Sequence, residues 1–397
     1  MLVPHLISNR AIALKPSLTL AISAKAKALK DQGKNICSLS AGEPNFNTPS
    51  FITQAAINAL NKGETRYGPA AGDPILREAI ALKLSKINRI STKAENVLVT
   101  NGGKQAIFNL MQVLLNPGDE VIILSPYWLS YPEIVSLTGA KSIIIKSDPK
   151  KDFSTDLNKL EHSINSKTKL LIINSPCNPT GKVMKENEQK SIASIVRKHP
   201  NLNVMSDEIY EYLLSNSANH VSFASIAPDL SDRIFTVNGF AKGWAMTGWR
   251  IGYLAGNKDI IDAAIALQSQ STSNVCSFAQ KGALAAITAS LECVKEMANE
   301  YNTRRDILIK GLHQIEGMFL SSPEGAFYAF PCLPKDSPNS IKFCELALDK
   351  VGLAVVPGAA FGEDRCIRIS CAASIETIKD GLERLNHLIT LVESNSI

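Results

Sequence analysis

The 397-residue sequence has no run of about 18 or more apolar residues, so a membrane-spanning helix is not expected. Its first thirty residues contain no long uncharged apolar core and no evident cleavage site, and no secretory signal is read there. Clusters of Lys and Arg are missing too. The formal net charge of +5 is small for this length, so nucleic acid is not an expected partner. Eight cysteines (37, 177, 276, 293, 332, 344, 366 and 371) never form a C-x-x-C pair, and only six histidines accompany them. That argues against a zinc site, any other metal site and a disulfide framework. Reduced thiols in a cytoplasmic protein are the expectation. Neither internal repeats nor low-complexity segments stand out.

What remains is ordinary globular composition, 45% hydrophobic and 20% charged. The length exceeds that of a usual single core, so one large domain and a smaller one are expected. Short Ile/Val/Leu runs recur through the middle of the chain: "NVLVTN" (96–101), "VIILSPYW" (121–128), "KSIIIKS" (141–147), "KLLIINSP" (169–176), "NVMSDE" (203–208), "RIFTVNG" (233–239) and "RIGYLAG" (250–256). Helix-length segments such as "KQAIFNLMQVLL" and "KENEQKSIASIVRKH" separate several of them. This alternation predicts an α/β sheet covered on both faces. The expected division is a large domain over 46–290, with 1–45 and 291–397 together forming the small one.

Polar residues gather where the predicted strands end: Asn101 to Gly103, Tyr127-Trp128, Asn174 to Gly181, Asp207 to Tyr210, and Lys242. Ligands of open α/β sheets bind at that edge, so these five groups predict one shared site. "TNGGKQA" places two glycines before a helix start, where backbone N–H groups can meet a phosphate; the same pair also suits a purely structural turn. Arg250 offers a planar donor fork suited to phosphate, or a partner for a surface carboxylate. "NSPCNPTGK" is a rigid turn in which Asn178-Pro179 is a candidate cis peptide, and Cys177 reads as a packed thiol. Asp207 and Glu208 end a strand, where alternation sends them to opposite faces, so only one can serve the site; both also suit a helix N-terminus. Lys242, in "NGFAKGWAMTGWR", has no carboxylate near it in sequence. It is either a snorkelling lysine or an amine wanted in a partly dry pocket. A pocket lysine, a phosphate cradle, a carboxylate, a phenol (Tyr210) and a flat aromatic (Trp128) are together the partners pyridoxal phosphate needs: a Schiff-base amine, an anion site and a group that keeps the pyridine nitrogen protonated.

Nine segments in order carry a resemblance: "AGEPNFNTP", "TRYGPAAGDPILREAIA", "TNGGKQAIFNL", "PGDEVIILSPYW", "NSPCNPTG", "SDEIYE", "NGFAKGWAMTGWRIGY", "GAFYAF" and "GLAVVPG" with "IRIS". Over nearly its whole length the chain resembles the class I aminotransferases of the fold-type I pyridoxal-phosphate enzymes. Within these it is most similar to the bacterial-type aspartate aminotransferases, some of which also use prephenate. The resemblance implies a three-layer α/β/α large domain with a mostly parallel mixed sheet, plus a smaller α/β domain. It implies Lys242 as the Schiff-base and proton-shuttling amine, Asp207 at the pyridine nitrogen, Tyr210 and Asn178 at the ring oxygen, and Trp128 stacked on the ring. The backbone of Gly103 and Lys104, with Arg250, would hold the phosphate, joined by Tyr67 from a second subunit, so a homodimer is implied. Arg368 would clamp the substrate α-carboxylate, with Gly42 as a backbone donor.

Many relatives carry serines one and three positions before the lysine; here those positions are Ala241 and Gly239. No arginine in "LQSQSTSNVCSF" is available to read a distal carboxylate. In the bacterial type, the lysine of "GGKQ" and the threonine of "KPSxT" accompany dicarboxylic substrates, and both occur here as Lys104 and Thr19. Transamination between aspartate and 2-oxoglutarate is therefore expected, with prephenate as a further acceptor. Aminotransferases of aromatic or alanine type and β-lyases share the same constellation and stay open. A transcription regulator built on this fold would need an additional N-terminal domain, which is not expected with "AGEPNF" starting at Ala41.

Overall fold

The computed structural model describes residues 6–394, except Lys15 and Ser17 and the side chain of Leu20. Of the "KPSLT" motif, Lys15 and Ser17 therefore lie outside the described residues, while Thr19 lies within them. Twelve strands are found among these residues. They are β1 (Cys37–Ser38), β2 (Val97–Thr100), β3 (Glu120–Ser125), β4 (Lys141–Lys146), β5 (Thr168–Asn174), β6 (Asn203–Asp207), β7 (Ile234–Gly239), β8 (Gly252–Ala255), β9 (Tyr328–Ala329), β10 (Leu353–Ala354), β11 (Val356–Pro357) and β12 (Ile367–Ser370).

Seven strands form one sheet in the order β2-β8-β7-β6-β5-β3-β4. Alternate side chains of the same strand enter cores on opposite faces. Val121, Ile123, Leu170, Ile172 and Met205 pack on one face with the helix Gly103–Leu114, and Ile122, Leu171, Ile173 and Val204 pack on the other with Glu186–Lys198. Burial on both faces is why these strands read as unbroken apolar runs. The pairings β4/β3, β3/β5, β5/β6 and β6/β7 are parallel, whereas β8 runs antiparallel between β7 and β2. The reversed strand has a consequence for the site. Its first residues, and Arg250 just before them, lie at the edge where the parallel strands end.

A second core gathers the long helix Glu292–His313, the C-terminal helix Ile375–Glu393 and two small sheets. In one of these, β1 pairs in parallel with β10. The other is antiparallel, in the order β11-β12-β9. Ala26, from the helix Leu18–Asp31, packs with Leu348 and Ala354, so the N-terminal segment joins the C-terminal one. No helix among the described residues is long and apolar enough to cross a membrane.

Candidate active site

The ends of β2, β3, β5, β6 and β7 open onto one cavity of about 630 Å³. Gly103, Lys104, Trp128, Asn178, Asp207, Tyr210, Lys242 and Arg250 all line it, and β12 and the N-terminal segment close it with Arg368, Gly42 and Thr19. The five polar groups read at five strand ends thus converge, because parallel strands finish at one edge of the sheet.

At one wall the helix Gly103–Leu114 starts without a side-chain cap, and Gly102 before it has φ +80. First-turn N–H groups have no acceptor within the helix, so these present partial positive charge to the cavity. The Arg250 guanidinium lies against this turn, donating to Asn101 O at 3.3 Å and to Thr247 O at 2.9 Å. A β-carbon at residue 102 would come within 2.5 Å of Arg250 Nη2, which is why glycine occupies the turn. The Lys104 ammonium rests 4.9 Å from the centre of the Trp128 ring. Burial lowers the Lys104 pKa, and the nearby Arg250 charge adds to the effect.

Across the cavity, Asp207 is buried and accepts a 2.6 Å hydrogen bond from the Tyr131 hydroxyl. Burial pushes the Asp207 carboxyl up to about 6, against the pull of the Tyr131 and Ile209 donors. Glu208 turns to the opposite side, where Ser206, Ser222 and His220 surround it. Burial would raise Glu208, but the hydrogen bonds and charge of these partners outweigh it and hold its pKa low. Lys83, Asn88 and Asn238 similarly enclose the Glu211 carboxylate. These donors already occupy both carboxylates, which accounts for the acidic cluster as a support beneath the strand ends.

Lys242 donates to Gly42 O at 2.5 Å. Its amine is brought down to about 8, chiefly by burial and then by the charge of Arg368. That is an amine able to change protonation state near neutral pH. Tyr210 and Tyr328 share a hydrogen bond of 3.0 Å between their hydroxyls. The Arg368 guanidinium lies over the Tyr328 ring at 4.5 Å, donating to Asn178 Oδ1 at 3.1 Å and to Ser40 O at 3.0 Å. No carboxylate meets it among the described ion pairs, and its buried Nε has no acceptor. The Asn178-Pro179 peptide is cis, and the Cys177 thiol contacts Pro126 O at 3.7 Å, its pKa raised by burial.

Tyr67 is the one predicted residue away from the cavity, 91% exposed on the surface of this chain. Sequence reasoning missed Tyr131, Tyr328 and Ser40. Tyr131 lies on the short helix Ser130–Leu137, where a tyrosine beside Ile and Val reads as core. Only the fold brings it to Asp207, 76 positions away.

Residues 34–385 match the model of the family described as aminotransferase class I and II. The chain belongs to that family. It is 44% identical to a bifunctional aspartate aminotransferase and glutamate/aspartate-prephenate aminotransferase of Petunia hybrida, over 98% of this chain and 83% of that one. Among solved structures, the aspartate aminotransferase of Thermus thermophilus with maleate superposes with a TM-score of 0.92 at 42% identity, covering 96% of this chain and 99% of the other. The Rhizobium meliloti aspartate aminotransferase gives 0.93 at 36% identity, over 97% and 98%. The family transaminates amino acids and 2-oxo acids and implies pyridoxal phosphate as cofactor.

Proposed function

We propose that this cavity binds pyridoxal phosphate and transfers the amino group between aspartate and 2-oxoglutarate, with prephenate as a further acceptor. The donor set suits the cofactor. An uncapped helix start and Arg250 offer a phosphate site, Asp207 offers an anion for the ring nitrogen, Trp128 a flat face, and Lys242 an amine of lowered pKa. Asn178 and Tyr210 supply polar groups for the ring oxygen. When bound, the cofactor supplies an electron sink for the bonds at the substrate α-carbon.

The chain's own residues then divide the work. Arg368 binds the α-carboxylate through its planar fork, assisted by the Gly42 backbone, and fixes the substrate's orientation. Lys242 moves the proton at the α-carbon through Nζ, which its position near neutrality allows. The Asp207 carboxylate would keep the ring nitrogen of the bound cofactor protonated, and the Tyr131 hydroxyl fixes the orientation of that carboxylate. The observation that carries the dicarboxylate reading is charge. Among the described residues, Lys104, Lys242, Arg250 and Arg368 face the cavity against Glu43 and Asp207, a surplus of positive charge that favours anionic ligands. The Thermus relative was solved with maleate, which is a dicarboxylate. Lys104 and Thr19 are assigned to the distal carboxylate. Lys104→Ala should lower kcat/KM for aspartate by about 10–100-fold, the worth of a charge-assisted hydrogen bond, and spare alanine and phenylalanine. Equal loss on all three would sink the assignment.

A homodimer in which Tyr67 reaches the neighbouring phosphate site completes this reading. The exposure of Tyr67 supports it, as do Leu6, Ile12, Leu14 and Leu18, apolar residues exposed along the N-terminal segment. A cytoplasmic location and the division into 1–45 with 291–397 and 46–290 belong to the same proposal, the division supported by the β1/β10 pairing.

A further inference from the structure

Cys332 and Cys366 lie 34 positions apart in sequence, yet their sulfurs are 2.8 Å apart. The contact follows from the β-ladder. The pairs Ser370–Tyr328 and Ile369–Ala329 set the register of β12 against β9, and continuing it places Cys366 directly opposite Cys332, where an antiparallel bridge is found. Leu333 N donates to Arg365 O at 2.8 Å and Ile367 N to Pro331 O at 3.0 Å, flanking the pair on both sides. The cysteines are therefore a non-hydrogen-bonded pair, the type whose Cα atoms lie about 4.5 Å apart. A disulfide requires about 4.4–6.8 Å. Both thiols are free.

We propose that Cys332 and Cys366 are a reversible dithiol/disulfide pair, oxidised by low-molecular-weight disulfides such as oxidised glutathione. Cys332 is partly accessible and Cys366 is fully buried, so the oxidant meets Cys332 first. The Cys366 S–H holds the Cys332 thiol below the ordinary thiol range, and the same contact raises Cys366. The Cys332 thiolate attacks one sulfur of oxidised glutathione and expels a glutathione thiolate. Cys366 then attacks the Cys332 sulfur, its proton passing to the departing thiolate, and the second glutathione leaves. The two thiols lose two electrons and two protons, and two glutathiones gain them. Because residues two apart share a strand face, the bond forms on the side of β12 that carries Arg368. Phe330 and Phe361 share a core with Cys366, and the Phe361 ring lies 5.1 Å from the Arg368 guanidinium. Oxidation would thus fasten the strand that holds the clamp.

The test is a non-reducing peptide map of the holoenzyme after incubation with oxidised glutathione, free thiols being alkylated first. The expected map joins the Cys332 and Cys366 peptides, dithiothreitol separates them, and Cys332→Ser abolishes the link. The cross-linked protein should also melt about 2–5 °C higher, since a loop is closed in its unfolded chain. A wild-type map with glutathione retained on Cys332, or with both cysteines unmodified, would overturn the proposal without recourse to any variant.

Discussion

Lys242 carries the most informative single-residue chemistry. A lysine at about 8 in the folded protein, against about 10.4 when unfolded, binds fewer protons folded than unfolded between those values. Stability of the cofactor-free protein from this group therefore rises with pH across about 8 to 10.4, and the penalty for a buried cation is complete below 8. Cofactor-free Lys242→Met should accordingly melt above cofactor-free wild type at pH 7, with the gap closing as the pH approaches 10. Calorimetry across that range checks it, and a gap independent of pH would contradict it. Its small, uncharged neighbours left a snorkelling lysine and a pocket amine both open, and the burial that lowers its pKa decides for the pocket. The Tyr131 bond to Asp207 was not legible in the sequence. A tyrosine on an apolar helix carries no mark of what its hydroxyl will meet after a chain reversal.

At the scale of elements, the β7/β8 pair explains the glycine at the place where many relatives have serine. A β-carbon on Gly239 would come within 2.8 Å of Gly252 Cα and 2.9 Å of Ile251 O, because the antiparallel strands meet closely there. In the proposed function, phosphate binding then rests on Arg250 and the start of the helix Gly103–Leu114. Arg250→Ala should weaken retention of pyridoxal phosphate by about 10–100-fold or more, as expected for lost charge-assisted hydrogen bonds. Gly239→Ser should lower Tm and not strengthen retention. Dialysis followed by cofactor absorbance checks both, and full retention by Arg250→Ala would refute the reading. The strands themselves were plain in the sequence because burial on both faces leaves uninterrupted Ile, Val and Leu. The direction of β8 was not visible in "RIGYLAG" itself, since composition does not distinguish an antiparallel strand between buried neighbours from a parallel one. The mixed sheet entered through the family resemblance.

On the scale of the molecule, one sheet edge collects groups from Thr19 to Arg368, and both ends of the chain help close the cavity. That arrangement also sets the limit of what sequence reading could show. The convergence of five strand ends was foreseeable from topology, whereas the contact of Cys332 with Cys366 and the Lys83–Glu211 support depend on register and on pairings 34 and 128 positions apart. Tyr67, exposed here, belongs to the proposed dimer, so light scattering of the active enzyme should give about twice 42.9 kDa. An active monomer would contradict the shared site.

The central claim is aspartate transamination at Lys242, and a donor screen tests it most directly. Purified enzyme loaded with pyridoxal phosphate should lose its oxidised-cofactor absorbance on addition of aspartate or glutamate alone. Adding 2-oxoglutarate should restore it, with oxaloacetate formed from aspartate in equal amount, while alanine and phenylalanine act far more slowly. Pyruvate and ammonia released without any 2-oxo acid acceptor, or no absorbance change with aspartate, would contradict the account.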